Sequence, residues 1–335
     1  MVTRDYPPTV GGIATHTKAV VDRLRDIGVD VEAIVGRSDF GTLMVPLRRS
    51  LSGYDIVHVQ SSPYGAFVKN ECMVVTVHAP VLSEKDYYRG WTSIKSRFAV
   101  GMERRTFAKA SRIIAVSEWT KFELVRLYAL APERIKVIPN GVDLEAFGRP
   151  TRTMDDGLLR VLVVSRLEPR KNVADVIHAL SGAAATRDLG LEIVGEGTEK
   201  GKLVAIAKKE RVDVRFTGRV ASGLLAEAYG RSSVVVAPGM AEGFGLTILE
   251  GWAAGCAVVA SDSPAHRELV SPGVDGFLYS TTSELKETLS MLATDRKALY
   301  RIAEQGRKRA QLHDWREVAK SVAGVYDELV VRGPS

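Results

Sequence analysis

Short β-rich apolar runs alternate with helical patterns along almost the whole chain, and that rhythm restricts the fold to parallel α/β sheets. In the first half the runs fall at residues 29–35, 55–60, 73–78, 112–117 and 135–139. In the second they fall at 160–166, 191–195, 212–217, 234–238, 257–261 and 276–279. Between the two series, near residues 147–158, Gly148, Pro150, Thr151, Thr153, Asp155, Asp156 and Gly157 read as a polar linker. A chain of 335 residues has room for two domains of roughly 100 to 200 residues each. Two similar α/β units are therefore expected, one over residues 1–150 and one from residue 151 onward. No short repeat or low-complexity tract competes with that reading.

The first element is short. Before Tyr6-Pro7-Pro8 only Val2 and Thr3 are free to form a strand, where about five residues are usual. Either the sheet opens with a stub or the true start lies upstream, and the complete turn and helix that follow favour the second. With 26% charged and 45% hydrophobic residues the chain is not a disordered tail. No run reaches the ~18 to 20 apolar residues of a membrane span, and the N-terminus lacks the apolar core of a secretory signal, so a cytoplasmic location is expected. Cys72 and Cys256 lie far apart without CxxC spacing, which points to packing residues rather than a disulfide or a zinc site.

The net charge of +6 has an address. Lys85, Arg89, Lys95, Arg97, Arg104, Arg105, Lys109 and Arg112 face only Asp86 and Glu103 over residues 85–112, so that segment holds the whole excess. Such concentration argues for a local anionic partner rather than for nucleic acid.

Three clusters suit an anionic, hydroxyl-rich ligand. Gly11-Gly12-Ile13-Ala14-Thr15-His16 follows the stub strand and opens a helix running to about Leu24. Glycines there let the backbone approach a phosphate, although a plain tight turn explains them equally well. Ser165-Arg166-Leu167-Glu168-Pro169-Arg170-Lys171-Asn172 follows a strand. It puts Arg166 and Lys171 at the carboxyl end, where open α/β sheets bind ligands. Two cations there match a diphosphate of about −2, or are simply solvated. In Pro238-Gly239-Met240-Ala241-Glu242-Gly243-Phe244-Gly245-Leu246, a strand leads into a loop bearing Glu242, and a helix starting around Gly245 presents Glu250 in its second turn. Two carboxylates flanking one helix N-terminus suit a polyhydroxylated ligand whose phosphate rests between them. The plainer alternative is a helix-start carboxylate and a solvated one. Gly195-Glu196-Gly197-Thr198-Glu199-Lys200-Gly201-Lys202 misses both G-x-G-x-x-G and the P-loop by its glycine spacing, which disfavours a dinucleotide dehydrogenase and a P-loop NTPase.

Taken together with Thr76-Val77-His78, Ser117-Glu118-Trp119-Thr120 and Pro139-Asn140-Gly141-Val142-Asp143, these motifs run in family order over nearly the whole chain. The chain resembles a retaining family 4 glycosyltransferase of the GT-B fold. It departs from that family where Ala257 stands for a proline and where Pro264-Ala265-His266-Arg267 precedes Glu268 in place of a Gly-Gly pair. The resemblance implies two Rossmann-like, doubly wound domains facing across a cleft. Residues 1–150 would lie on the acceptor side, 151–312 would bind the nucleotide sugar, and 313–335 would form a helix crossing back to the first domain. Trp315, Val318, Val322, Val325, Tyr326 and Leu329 supply an apolar side for that helix.

By the same resemblance, Glu242 contacts hydroxyls of the donor sugar and Glu250 the ribose, within a donor-binding loop that includes Gly243, Phe244, Gly245 and Leu246. Arg166 and Lys171 hold the diphosphate, Gly11 and Gly12 close on the phosphates, and His78 lines the sugar site unless it is only a buried strand-end residue. His58 reads as packing, and His16 as facing acceptor or solvent. The implied reaction moves a hexose from a GDP-mannose or UDP-glucose type donor to a glycan, lipid-linked or small-molecule hydroxyl. Metal and other cofactors are not expected, since the cations stand in for a metal and no Asp-x-Asp motif occurs.

Three rivals remain open. One is a GT-B-type sugar-nucleotide epimerase and another a glycosidase using Glu242 and Glu250, which would leave Arg166 and Lys171 without a role. The third is a non-catalytic binding module. The basic segment interleaves Tyr87, Tyr88, Trp91, Phe98 and Phe107 with its cations, which suits docking on anionic lipid at the inner face of the membrane or on a polyanionic acceptor; a solvated basic helix is the alternative.

Overall fold

Each half of the chain builds one fully parallel six-stranded sheet. The computed structural model describes residues 1–7, 9, 11–36, 38–83, 94–148, 158–181 and 189–332. In the first half the elements run β1 (Val2–Thr3), α1 (Gly12–Asp26), β2 (Ile34–Val35), α2 (Asp39–Leu43), α3 (Val45–Arg48), β3 (Val57–Val59), β4 (Met73–Val77), α4 (Ile94–Lys109), β5 (Arg112–Ala115), α5 (Glu118–Tyr128) and β6 (Ile135–Val137). The strand order is β2-β1-β3-β4-β5-β6.

The second half contributes α6 (Leu144–Phe147), β7 (Leu159–Val164), α7 (Ala174–Leu180), β8 (Leu189–Val194), α8 (Lys200–Glu210), β9 (Val214–Gly218) and α9 (Ser222–Gly230). It continues with β10 (Val234–Ala237), α10 (Leu246–Ala253), β11 (Ala257–Ser261), α11 (Pro264–Leu269), β12 (Phe277–Tyr279), α12 (Thr282–Thr294) and α13 (Arg296–Ala310). Here the order is β12-β11-β10-β7-β8-β9.

Every apolar run named above contributes a strand. β4, β10 and β11 are buried at all positions, as expected of strands covered on both faces. The run at 29–35 pairs only over β2, because its start is claimed by the end of α1. Val29 N–H donates to Leu24 O, and the Arg25 guanidinium donates to Val31 O at 2.6 and 3.0 Å.

Two compact units result, Met1–Gly141 with Trp315–Ser335, and Val142–Asp314. The chain thus enters the second unit ahead of the polar linker, whose residues 149–157 lie outside the described residues. Asp143 caps α6, its carboxylate accepting from Glu145 N and Ala146 N at 3.1 and 3.0 Å, and α6 packs on α9 and α10. The last helix, α14 (Trp315–Arg332), belongs to the first unit and packs on α1, with Trp315, Val318, Val322, Val325 and Leu329 buried. A Cβ on Gly141 would lie 2.7 Å from Trp315 N, so only glycine admits this approach. Among the described residues no helix is long and apolar enough to cross a membrane.

Sheet order decides where ligands can sit. It reverses between β7 and β10 in the second unit and between β1 and β3 in the first. The crevice outside the carboxyl ends of such strands is the binding position of open α/β sheets. The loops after β7, β10 and β1 carry Arg166 with Lys171, Glu242, and Gly11 with Gly12.

Candidate functional site

In the second unit the loop after β7 folds against the loop after β8 through backbone contacts that exclude side chains. Leu167 N–H donates to Glu196 O and Glu199 N–H to Leu167 O, both at 2.9 Å. A Cβ on Gly195 would lie 1.8 Å from Ser165 O, and one on Gly197 2.2 Å from Leu167 O. The Gly195-Glu196-Gly197 run therefore serves close packing of two loops. A 3-10 turn at Pro169–Lys171, followed by Asn172 at φ 48, then turns the chain so that Lys171 faces the loop after β10.

There Lys171 Nζ donates to Glu242 Oε1 at 2.5 Å, with side chains only 15% and 21% exposed. Burial pulls the Lys171 ammonium below its usual range against the opposing pull of Glu242. Burial would push the Glu242 carboxyl up, but Lys171 and Arg170 outweigh it and hold the group below the ordinary carboxylate value. Arg166 sits apart from it, more than half exposed, donating to Glu168 Oε1 at 2.8 Å. The structure thus brings Lys171 and Glu242 together and leaves Arg166 on the half-buried carboxylate of Glu168.

The Glu242 loop is close-built. A Cβ on Gly239 would lie 2.1 Å from Glu242 Oε1, so the carboxylate rests on bare backbone. Gly243 is half-buried, and Phe244 is buried with its ring edge-on to His313. Gly245, at φ 120, starts α10 with no side chain capping its N-terminus, and Leu246 is its first residue. One turn on, Glu250 is buried, not solvated, and accepts from Tyr229 OH at 2.6 Å. Burial pushes its carboxyl up to about 7, with the Tyr229 hydrogen bond opposing.

The residues named in the first unit are of another kind. Gly11, at φ 152, precedes Gly12 at the start of α1. His16 is buried rather than facing solvent, and its Nδ1 lies 2.8 Å from Asn140 Oδ1. The amide oxygen can only accept, so His16 carries its proton on Nδ1. The His78 ring stands edge-on to His16 at 4.7 Å between centroids, with its Nε2 covered and without a hydrogen-bond partner among the described residues. His58 is a packing residue, tied to Tyr326 OH at 2.6 Å and Thr76 Oγ1 at 2.7 Å. Burial lowers all three imidazoles, His16 to about 4 and His58 and His78 well below the usual value.

With this geometry in view, a family model described as Glycosyltransferase Family 4 matches residues 40–146, and one described as Glycosyl transferases group 1 matches residues 149–309. The chain belongs to the group 1 glycosyl transferases. It is similar to the MMP alpha-(1->4)-mannosyltransferase of Mycolicibacterium hassiacum, 27% identical over 280 residues covering 78% of this chain and 66% of that protein. It is also similar to the glycogen synthase of Mycobacterium tuberculosis, 32% identical over 261 residues, 76% of this chain and 62% of that protein. The chain therefore spans 66% and 62% of the length of these two relatives. The crystal structure of Anabaena HepE in complex with UDP and glucose superposes with a TM-score of 0.77 at 21% identity, covering 98% of this chain and 99% of that one. The fold is GT-B.

Three residues of this group 1 glycosyl transferase escaped motif reasoning. Arg170, 6% exposed, donates to Ala241 O at 2.9 Å while its own carbonyl accepts from Met240 N–H, so it clamps the Glu242 loop from the β7 side. Tyr229 orients Glu250 from 21 residues away, a separation no local pattern reveals. Glu103 is fully buried and accepts from Ser62 Oγ, Tyr128 OH and Val81 N–H, which holds the loop that follows His78. Its one available signal was to stand almost alone among cations.

Part of the basic segment, although exposed, is also tied to the protein's own backbone. Arg105 Nε donates to Ala66 O at 2.8 Å, and Lys109 Nζ to Ala66 O and Val68 O at 3.1 Å. Arg112 lies 4.0 Å from Glu328. Lys85, Tyr87, Tyr88, Arg89 and Trp91 lie outside the described residues, while Arg97, Phe98 and Arg104 are exposed on α4.

Proposed function

We propose that the protein is a retaining glycosyltransferase that moves a hexose from a nucleotide-diphosphate sugar to a hydroxyl of a glycan, lipid-linked or small-molecule acceptor, without a metal. The observation that carries this reading is the half-buried Lys171–Glu242 pair at the β7/β10 reversal, in the loop that leads into α10 and its buried Glu250. Such a corner offers a cation and free N–H groups to a diphosphate and carboxylate oxygens to hydroxyls.

In the transfer, the bond between the anomeric carbon and the diphosphate oxygen breaks while the acceptor oxygen bonds to that carbon on the same face. The acceptor proton passes to the departing phosphate oxygen. Lys171 and Arg166 stabilise the charge growing on the diphosphate, and no separate carboxylate base is required. Glu242, held by Lys171, accepts from sugar hydroxyls, and Glu250, oriented by Tyr229, accepts from the ribose. Gly243, Phe244, Gly245 and Leu246 shape the donor loop. In the first unit, the amides opened by Gly11 and Gly12 suit an anion, and His78 offers a neutral partner for a sugar hydroxyl. Relatives named for mannosyl transfer and glycogen synthesis, and a neighbour holding UDP and glucose, make GDP-mannose and UDP-glucose the first donors to try.

The test is release of UDP or GDP from those donors with simple sugar acceptors, with and without EDTA. Turnover lost in Glu242→Ala with the circular dichroism spectrum unchanged supports the reading. Interconversion of the donor sugar without acceptor would replace it with an epimerase, and loss in EDTA restored by magnesium would overturn metal independence. We also propose that the exposed face of α4 docks on anionic lipid.

A further inference from the structure

The departure at residues 264–267 places a histidine behind the donor loop. His266, 1% exposed, lies on α11 with Nδ1 at 3.0 Å from Ser261 O and 3.1 Å from Ser261 Oγ. A carbonyl oxygen only accepts, so Nδ1 carries the proton and the imidazole is in one tautomer. The Ser261 hydroxyl, itself fully buried at the end of β11, donates to Gly239 O at 2.6 Å. It therefore receives at its oxygen from His266 and gives its proton to Gly239.

Gly239 is the residue against which Glu242 Oε1 rests, and that oxygen is the one that accepts from Lys171. The opposite side of the same loop is held by Arg170. On the α11 side the ring also closes on α10: a Cβ on Gly245 would lie 3.2 Å from His266 Cδ2.

We propose that His266 is a positioning residue for Glu242, acting through a directional chain from Nδ1–H to Ser261 and from the Ser261 hydroxyl to the Gly239 carbonyl. It sets the carboxylate oxygen that meets Lys171 and, on the functional reading above, the sugar hydroxyls. His266 touches no reacting atom in this role.

The side chain has isosteres that separate its parts. Asparagine places an N–H where Nδ1 lies, glutamine places its amide where Nε2 lies, and phenylalanine keeps the ring volume without a donor. The full-length protein is compared as wild type, H266N, H266Q, H266F and S261A. One readout is amide hydrogen exchange over residues 238–245, and another is kcat and KM with UDP-glucose and GDP-mannose beside the affinity for UDP and GDP.

Exchange in that segment should rise about tenfold in H266F, H266Q and S261A, as expected for one lost buried hydrogen bond, and stay within about twofold of wild type in H266N. Turnover should fall about tenfold or more in the same three variants, with nucleoside diphosphate affinity unchanged, and H266N should recover most of it. Wild-type exchange in H266F and S261A would overturn the proposal in favour of ring packing. Activity kept by H266Q and lost in H266N would assign the function to Nε2 and overturn it as well. The exchange result stands whether or not the protein turns over either donor, so failure of the transferase reading is recognised separately as a wild type without turnover.

Discussion

Around the sheet reversal of the second unit, half-buried Lys171 and Glu242 pair in a loop that buried Arg170 also holds, and buried Glu250 follows on α10. The histidine corner of the first unit holds buried His16 and His58 and half-buried His78, with partners that include Asn140, Tyr326 and Thr76. Both corners lie on sheets of the same parallel six-stranded kind. They differ in how burial is compensated. In the second unit Lys171 and Arg170 outweigh burial for Glu242, which on the reading proposed above sets opposite charges together for an anionic, hydroxylated ligand, whereas Glu250 has only the Tyr229 hydrogen bond against burial. In the first, no compensating charge outweighs burial for the histidines, and all three are driven neutral. One fold thus supports a charged site and an uncharged wall.

The largest expected effect breaks the charged corner. Glu242→Gln and Lys171→Met should each lower kcat/KM by about 100- to 1000-fold, the scale for removing an aligned electrostatic contact at a reacting centre. His78→Ala, which removes one neutral hydrogen-bond partner, should cost only about tenfold. Each single substitution at the pair should also lower the melting temperature, because it strands a buried charge, while a Lys171→Met/Glu242→Leu double variant should regain much of that loss. If His78→Ala proved as damaging as Glu242→Gln, the division between a charged and a neutral half would be wrong.

Acid titration should pull the two corners in opposite directions. Glu250, ionising at about 7 in the folded chain against an ordinary 4.5, adds stability that is present below pH 4.5 and lost as pH rises through 7. That loss is up to about 3 kcal/mol at 1.36 kcal/mol per pKa unit. His16, at about 4 against 6.5, works the other way: its neutral form is stable above pH 6.5, and stability is lost as pH falls toward 4. In urea unfolding, Glu250→Gln should gain on wild type between pH 5 and 8. His16→Asn should gain on wild type between pH 6.5 and 4.5. UDP or GDP affinity should weaken as pH drops below 7 in wild type and stay flat in Glu250→Gln. A common pH slope for both variants would remove the contrast.

Strand runs were legible because buried parallel strands are nearly continuous in apolar residues, and β4, β10 and β11, buried at every position, are apolar but for Thr76 and Ser261. Lys171 and Glu242 were legible as candidates because each follows a strand end. Their direct pairing was not, since it depends on the order β10-β7, which brings together loops 71 residues apart. The same limit hid Tyr229 behind Glu250. The burial of His16 was not legible because helical position alone does not say that Asn140 and Trp315 close over it. The compact units part at Gly141, ahead of the polar composition of residues 147–158, because α6, capped by Asp143, packs on α9 and α10.

The smallest effect concerns where the first unit carries its positive charge. Its histidine corner is neutral, and Arg105 and Lys109, although exposed, already donate to the carbonyls of Ala66 and Val68. What α4 offers to a surface is Arg97 and Arg104, with Phe98 half-exposed between them at 53%. A basic residue near an anionic bilayer contributes about 1 kcal/mol, so Arg97→Glu with Arg104→Glu should weaken binding to phosphatidylserine vesicles by at least about tenfold at low salt. Arg105→Gln should instead act on the fold, lowering stability by about 1 to 3 kcal/mol through a lost charged hydrogen bond, with little change in vesicle binding. The reverse outcome, with binding lost in Arg105→Gln and kept in the double variant, would move the docking face off the outer side of α4. Equal loss in all of them would mean that net charge alone governs association, and the first unit would then have no oriented basic face to set against its neutral interior.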